Sequence, residues 1–128
     1  MSAGLPTEGT NSQWPRLTDV VRRDAPTCAL RERLGDVRSR AAAAGWEACV
    51  VISEERVVLG LLRAAELQAD PGLLVEQVMR PGPSTYRPFV SVAEMRRTMT
   101  ERNLESSPVT TSDGKLVGLV TKADVGAV

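Results

Sequence analysis

Thr121 and Asp124 stand three residues apart at the end of the stretch SSPVTTSDGKLVGLVTKADV, which runs from Ser106 to Val125. The stretch reads as a strand, a tight turn, a second strand and the start of a helix. Thr-x-x-Asp is the spacing of a capping box, in which a hydroxyl and a carboxylate satisfy the free N–H groups of a helix start. The same exposed groups could instead hold a ligand. Capping and binding are not exclusive, and both remain open on the spacing alone.

Composition removes other chemistries. The 128-residue chain has no histidine, so the commonest general base and metal ligand is missing and nucleophile systems built on His are excluded. Cys28 and Cys49 form no CxxC pair; buried free thiols are expected, with neither a metal site nor a disulfide scaffold. Sixteen Lys+Arg balance sixteen Asp+Glu. No net field calls for nucleic acid or an anionic membrane, and the pairs Arg22–Arg23 and Arg96–Arg97 read as solvated helix faces. No signal-peptide pattern is present, and no apolar run approaches the ~20 residues a membrane helix needs. A cytoplasmic protein is expected. Aromatics are few (Trp14, Trp46, Tyr86 and Phe89), so the core must come from Val, Leu, Ala and Met.

The elements that position Thr121 and Asp124 come from an internal repeat. Shifted by 58 positions, the sequence lies on itself without a gap. Val20 falls on Val78, Arg22 on Arg80, Thr27 on Thr85 and Arg38 on Arg96; Val51 falls on Val109, Gly60 on Gly118 and Leu61 on Leu119. In the second copy Ser84–Tyr86 is a short extended segment among prolines. Ser91 opens a helix with Glu94 as its capping box, and Val92, Met95 and Met99 face the core at helical spacing. Asn103 ends that helix. Ser107–Thr110 and Lys115–Val120 are strands joined at Asp113-Gly114, a strong hairpin turn. The first copy follows with Thr27–Cys28, a helix Leu34–Ala44 stopped by Gly45, strands Ala48–Ile52 and Val57–Leu62, and a helix Ala64–Gln68. Gly60 and Gly118, inside strands, mark close backbone approach. Residues 1–16 read as a flexible tail in which Trp14 is either an anchor or exposed.

The expected fold is therefore α/β (α+β), built from two pseudo-symmetric β-α-β-β-α repeats: 17–70, degenerate, and 71–128, with a short last helix. Strands as apolar as VVLGLL (Val57–Leu62) are usually covered on both faces. A unit of about fifty residues cannot bury that much alone, so the repeats should pack sheet to sheet, leaving two equivalent clefts.

This order of elements resembles the cystathionine-β-synthase (CBS) domain family. The residues that carry the resemblance are Pro108-Val109, the run Asp113 to Gly118, the closing Thr121-x-x-Asp124 and the lead-in VEQVMRPGPSTYRP, Val75–Pro88. It covers roughly residues 17 to 128, and two such copies form a Bateman module. The resemblance implies a regulatory sensor whose clefts bind adenosine compounds such as AMP, ATP or S-adenosylmethionine. By position it implies that Thr121 contacts phosphate and that Asp124 takes the ribose hydroxyls. The base would lie in a slot near Thr85, Tyr86, Pro108 and Val109, and Arg80 is a further phosphate partner. A helix N-terminus suits a phosphate, and a carboxylate suits two vicinal hydroxyls. The first copy has Arg63 and Glu66 at these two positions, which reads as a lapsed site with surface charges; the alternative is that Arg63 meets a phosphate from the neighbouring cleft.

Two functions follow from the resemblance. One is a stand-alone regulatory module that senses an adenosine-containing ligand between the repeats and acts on a separate, unidentified effector protein. The other is a ligand-free structural module kept for dimerisation; a homodimer is expected in either case. No enzyme, required cofactor, metal, nucleic acid or membrane partner is expected.

Overall fold

The computed structural model describes residues 15–126. Most of the expected tail, Trp14 included, lies outside the described residues. Its last two residues are tied down: Val92 N donates to Pro15 O at 2.9 Å, and Arg16 bridges Ser91.

In the first half the chain forms α1 (Leu17–Val20), β1 (Thr27–Cys28), α2 (Leu34–Ala43), β2 (Cys49–Ile52), β3 (Val58–Leu62) and α3 (Ala64–Leu67). In the second it forms α4 (Val75–Val78), β4 (Arg80–Pro81), α5 (Val92–Arg102), β5 (Ser106–Thr110), β6 (Leu116–Thr121) and α6 (Lys122–Gly126). The expected helices and hairpin strands are present to within a residue or so at each end. The short helices α1 and α4 were not expected. Each is four residues long, just over one turn, and gives no apolar period to read. The extended segment expected at Ser84–Tyr86 is reduced to one parallel bridge, Tyr86 with Val109.

Local chemistry explains the long helices. Ser91 Oγ accepts from Glu94 N at 3.1 Å at the start of α5, and Val92, Met95 and Met99 are buried on one face. Asn103 closes α5 with φ 56°, in the left-handed region. Gly45, its counterpart 58 positions earlier, follows α2 with φ 79°. The two helices thus end on matching left-handed residues, Gly in one and Asn in the other, the two types that tolerate that conformation best.

The sheets repeat the same register. β1 runs parallel to β2, β2 antiparallel to β3, and β3 antiparallel to β4. β5 and β6 form the second hairpin, with Val109 opposite Gly118 where β2 and β3 place Val51 opposite Gly60. β4 sets Arg80 opposite Leu61, although Arg80 leads into the second repeat. Reciprocally, Arg22 bridges Leu119. Each repeat's lead-in segment therefore extends the other repeat's sheet.

Packing shows the same exchange. One core holds Leu34, Val37, Cys49, Val51 and Leu62 together with Val75 of α4. The other holds Val92, Met95, Met99, Val109 and Val120 together with Leu17 of α1. Leu17 and Val75 are both fully buried. A third cluster, Ala48, Val50, Leu61, Leu116 and Leu119, lies between the two hairpins, so the halves do pack sheet against sheet. At one end of this interface Val58 N donates to Gly114 O at 3.0 Å and Leu116 N to Arg56 O at 2.9 Å, a reciprocal pair about the pseudo-two-fold.

Candidate functional site

Thr121 is the last residue of β6 and precedes α6. The capping box forms in both directions: Asp124 N donates to Thr121 Oγ1 at 3.1 Å, and Thr121 N to Asp124 Oδ2 at 3.3 Å. The cap occupies only part of the carboxylate. Arg22, brought in by the crossed lead-in segment, donates from Nη2 to Oδ1 at 2.8 Å and from Nε to Oδ2 at 2.9 Å and Oδ1 at 3.1 Å. This is the forked pairing that arginine makes with carboxylates. The Arg22 side chain keeps 53% of its exposure and that of Asp124 only 13%, so the guanidinium covers the acid. Hydrogen bonding from Arg22 holds the Asp124 carboxyl below the usual carboxylate range, against a smaller opposing effect of burial. The Arg22 guanidinium also lies 5.8 Å from the centroid of the Trp46 ring, within cation–π range.

The two halves enclose a groove of about 1070 Å³. Arg22, Trp46, Arg63 and Arg80 line it, with Pro108 and Thr121 on the second-repeat side. It runs past both expected cleft positions, so the two clefts open into one continuous groove. Asp124 sits behind Arg22 and is not part of the exposed lining.

Of the residues singled out from the sequence, Thr121, Arg80 and Pro108 come together in the groove. Val109 does not: it is fully buried in the second core. Tyr86 packs against that core, its backbone bonded to Pro108 O and Thr110 N, and its hydroxyl is buried without a hydrogen-bond partner. Thr85, beside it, is half-buried and outside the groove lining. Strand alternation accounts for the split. Adjacent residues of β5 point to opposite sides, so Pro108 and Val109 cannot both face the groove.

At the first-repeat position, Arg63 and Glu66 pair with each other. Arg63 N donates to Glu66 Oε1 at 2.8 Å, and the guanidinium Nε donates to the same oxygen at 3.1 Å. Burial raises the Glu66 carboxyl, but the bonds from Arg63 outweigh it, and the net shift is downward. Arg80, the repeat counterpart of Arg22, makes no side-chain hydrogen bond among the described residues, although its charge contributes to lowering Glu66. The reading of Arg22–Arg23 and Arg96–Arg97 as solvated faces is corrected at two positions. Arg22 clasps Asp124, and Arg96 Nε donates to Val125 O at 3.0 Å. Arg38, which the repeat aligns with Arg96, likewise donates to Leu67 O at 2.9 Å.

Sequence reasoning missed Arg22 and Trp46 as groove residues. The repeat held a signal for Arg22, since it aligns with Arg80, already a phosphate candidate. Trp46 offered none beyond its place after a helix stop.

Comparison with known proteins bears on this geometry. Residues 75–125 match the CBS domain family. The chain is 30% identical over 111 residues to an inosine-5'-monophosphate dehydrogenase of Korarchaeum cryptofilum. The match covers 86% of this chain and 23% of that enzyme, so the chain spans about a quarter of the length of this curated relative. The CBS domains of a transcriptional regulator from Streptococcus pneumoniae superpose with a TM-score of 0.81 at 18% identity, over 90% of this chain and 99% of that one. CBSX2, solved in complex with AMP, gives 0.81 at 20% identity, over 88% and 93%. Residues 75–125 thus carry the CBS domain, and the fold over both halves is that of solved CBS-domain pairs. Among the described residues no helix is long and apolar enough to cross a membrane, and no group of His, Cys, Asp and Glu is arranged to hold a metal ion.

Proposed function

We propose that this CBS-domain pair is a regulatory module that binds an adenosine-containing ligand in the groove between its halves and passes that occupancy to an effector protein. The observation that carries the reading is the groove itself. It is large enough for a nucleotide, Arg22, Arg63 and Arg80 converge on it, and the Asp124 carboxylate lies directly behind Arg22, where a ribose diol would reach it by taking the place of that guanidinium. Phosphate would be held chiefly by these arginines and by the Thr121 hydroxyl, because α6 has only five described residues. Pro108 would flank the base. The AMP complex of CBSX2, a protein of the same fold, supports the ligand class.

The test is isothermal titration with AMP, ATP and S-adenosylmethionine. The wild-type chain is expected to bind at least one of them, and Asp124→Ala to lose that binding while remaining folded. Equal binding by the Asp124→Ala protein rejects the site.

A second reading has one observation in its favour. Both acids at the cleft positions, Asp124 and Glu66, are already satisfied by arginines without any ligand. A purely structural module kept for dimerisation needs no more than that. Light scattering separates the two: under this second reading the chain is a dimer whose size and melting temperature ignore every nucleotide.

A further inference from the structure

The Asp124 carboxylate has no acceptor site left for a diol. Oδ1 accepts two bonds from Arg22; Oδ2 accepts a third from Arg22 and one from the Thr121 backbone. A carboxylate offers about four lone-pair sites. A ribose that reaches this acid must therefore displace Arg22.

We infer that Arg22 is a specificity-determining residue, which makes the groove select phosphorylated nucleosides over uncharged or cationic adenosine compounds. This rests on the reading of Asp124 as the ribose acceptor. An uncharged nucleoside exchanges a pairing of two full charges for hydroxyl–carboxylate bonds in which only the acceptor is charged, and leaves the guanidinium only water. A nucleoside phosphate instead gives it a new anion of matching geometry, since the arginine fork pairs with phosphate as it does with carboxylate. Arg22 is well placed for the exchange. It lines the groove, half its side chain is exposed, and the Trp46 ring flanks the guanidinium. Arg80 lines the same groove with no side-chain hydrogen bond of its own among the described residues, and it supplies a second cation. The wall carries Arg22, Arg63, Arg80 and Arg102 against Asp24, Glu47 and Glu105, a small positive excess, and a ligand whose sulfonium and ammonium outweigh its one carboxylate adds to that excess where AMP would neutralise it. The expected order is AMP first, adenosine second, S-adenosylmethionine last.

The experiment is titration of AMP, adenosine and S-adenosylmethionine into the wild-type chain, Arg22→Gln and Asp124→Ala, with melting curves for all three proteins. Wild type is expected to prefer AMP to adenosine by about tenfold or more, the scale of one charge-assisted bond. In Arg22→Gln, AMP weakens and adenosine tightens, so the ratio falls to within about threefold of unity. A wild-type protein that binds adenosine or S-adenosylmethionine as tightly as AMP overturns the inference, and so does a folded Arg22→Gln protein that keeps the wild-type ratio. Should Arg22→Gln fail to fold, the wild-type ratio decides alone. AMP binding that Asp124→Ala abolishes, with no preference over adenosine in wild type, removes the role of Arg22 and leaves the adenosine site standing. No binding of any of the three by either wild type or Arg22→Gln removes both.

Discussion

The Arg22–Asp124 pair answers the question that the Thr-x-x-Asp spacing raised. The two residues do cap a helix, and one of them is also clasped from the other half of the sequence. The cap was legible from a three-residue spacing; the clasp, 102 positions apart, was not, because no local pattern encodes a partner that distant. This pair, the Arg63–Glu66 pair and a third between Arg40 and Glu32, 3.0 Å apart, set an acid limit on stability. Asp124 and Glu32 are held below the ordinary carboxylate range by hydrogen bonds from Arg22 and Arg40, and Glu66 is lowered by Arg63 despite burial. A depressed folded value means that each acid favours the fold wherever it is ionised in both states. That contribution drains as pH falls through the unfolded and then the folded value. With no histidine in the chain, melting temperature is expected to be nearly flat between about pH 6 and 7.5 and to drop below about pH 4.5, where carboxylates begin to protonate. A large fall between pH 7 and 6 contradicts this account. Backbone geometry gives a second prediction at the residue scale. Arg56 has φ 68° where its repeat counterpart Gly114 has φ 85°. A non-glycine residue there costs roughly 1–2 kcal/mol, against about 0.5–1 kcal/mol for glycine's extra unfolded freedom. Arg56→Gly is thus expected to raise stability by about 0.5–1 kcal/mol in urea unfolding, and Gly114→Ala to lower it.

At the scale of elements, the repeat gave the α2 and α5 helices and both hairpins because each carries its own signals. Apolar residues at helical spacing and a Gly or Asn stop define both helices, with a Ser-x-x-Glu start added at α5; near-continuous apolar runs define the strands of both hairpins, with an Asp-Gly turn added at the second. The four-residue helices α1 and α4 and the two-residue strand β4 carry too few residues to show any period. Gly60 and Gly118 were legible as sites of close approach, and their neighbours now have names. A Cβ at Gly118 would stand 2.5 Å from Arg22 O and 2.8 Å from Val21 Cγ2; one at Gly60 would stand 2.4 Å from Met79 Sδ and 3.1 Å from Arg80 O. Each glycine thus admits the lead-in segment of the opposite repeat. Gly118→Ala is expected to be the costlier change, because its nearest neighbour is backbone and cannot rotate away, whereas the Met79 thioether can. A loss of roughly 2–3 kcal/mol is expected for Gly118→Ala, the upper part of the overpacking range, and about 1 kcal/mol for Gly60→Ala. Denaturant midpoints of the two variants check the order, and a reversal would mean that the sulfur contact is the less yielding one.

At the scale of the molecule, a pair of repeats was legible but their exchange of lead-in segments was not. Val20 aligns with Val78 and Arg22 with Arg80 whether each segment packs on its own repeat or on the other, so the sequence cannot distinguish the two arrangements. In the structure the crossing places Leu17 in the core of the second repeat and Val75 in that of the first. Neither half then holds a complete core of its own, which makes a single cooperative unfolding transition the expectation. The consequence is sharpest for residues 71–128 expressed alone. That fragment lacks Leu17, whose full burial is worth about 2 kcal/mol, and it lacks the strand partner of Leu119. It still carries α4 and Arg80, the repeat counterparts of α1 and Arg22. Two copies could restore what each lacks by lending α4 to one another, Val75 taking the place of Leu17 and Arg80 that of Arg22 beside Leu119. A unit of 58 residues is near the lower limit for folding alone, so the fragment is expected to be a folded dimer at high concentration and to unfold on dilution. Light scattering with circular dichroism over a dilution series measures both. Val75→Asp in the fragment should abolish dimer and fold together, because it removes the lent side chain without touching any residue of the core that receives it. A fragment that stays folded as a monomer at low concentration would show that the crossing contributes little to the stability of either half.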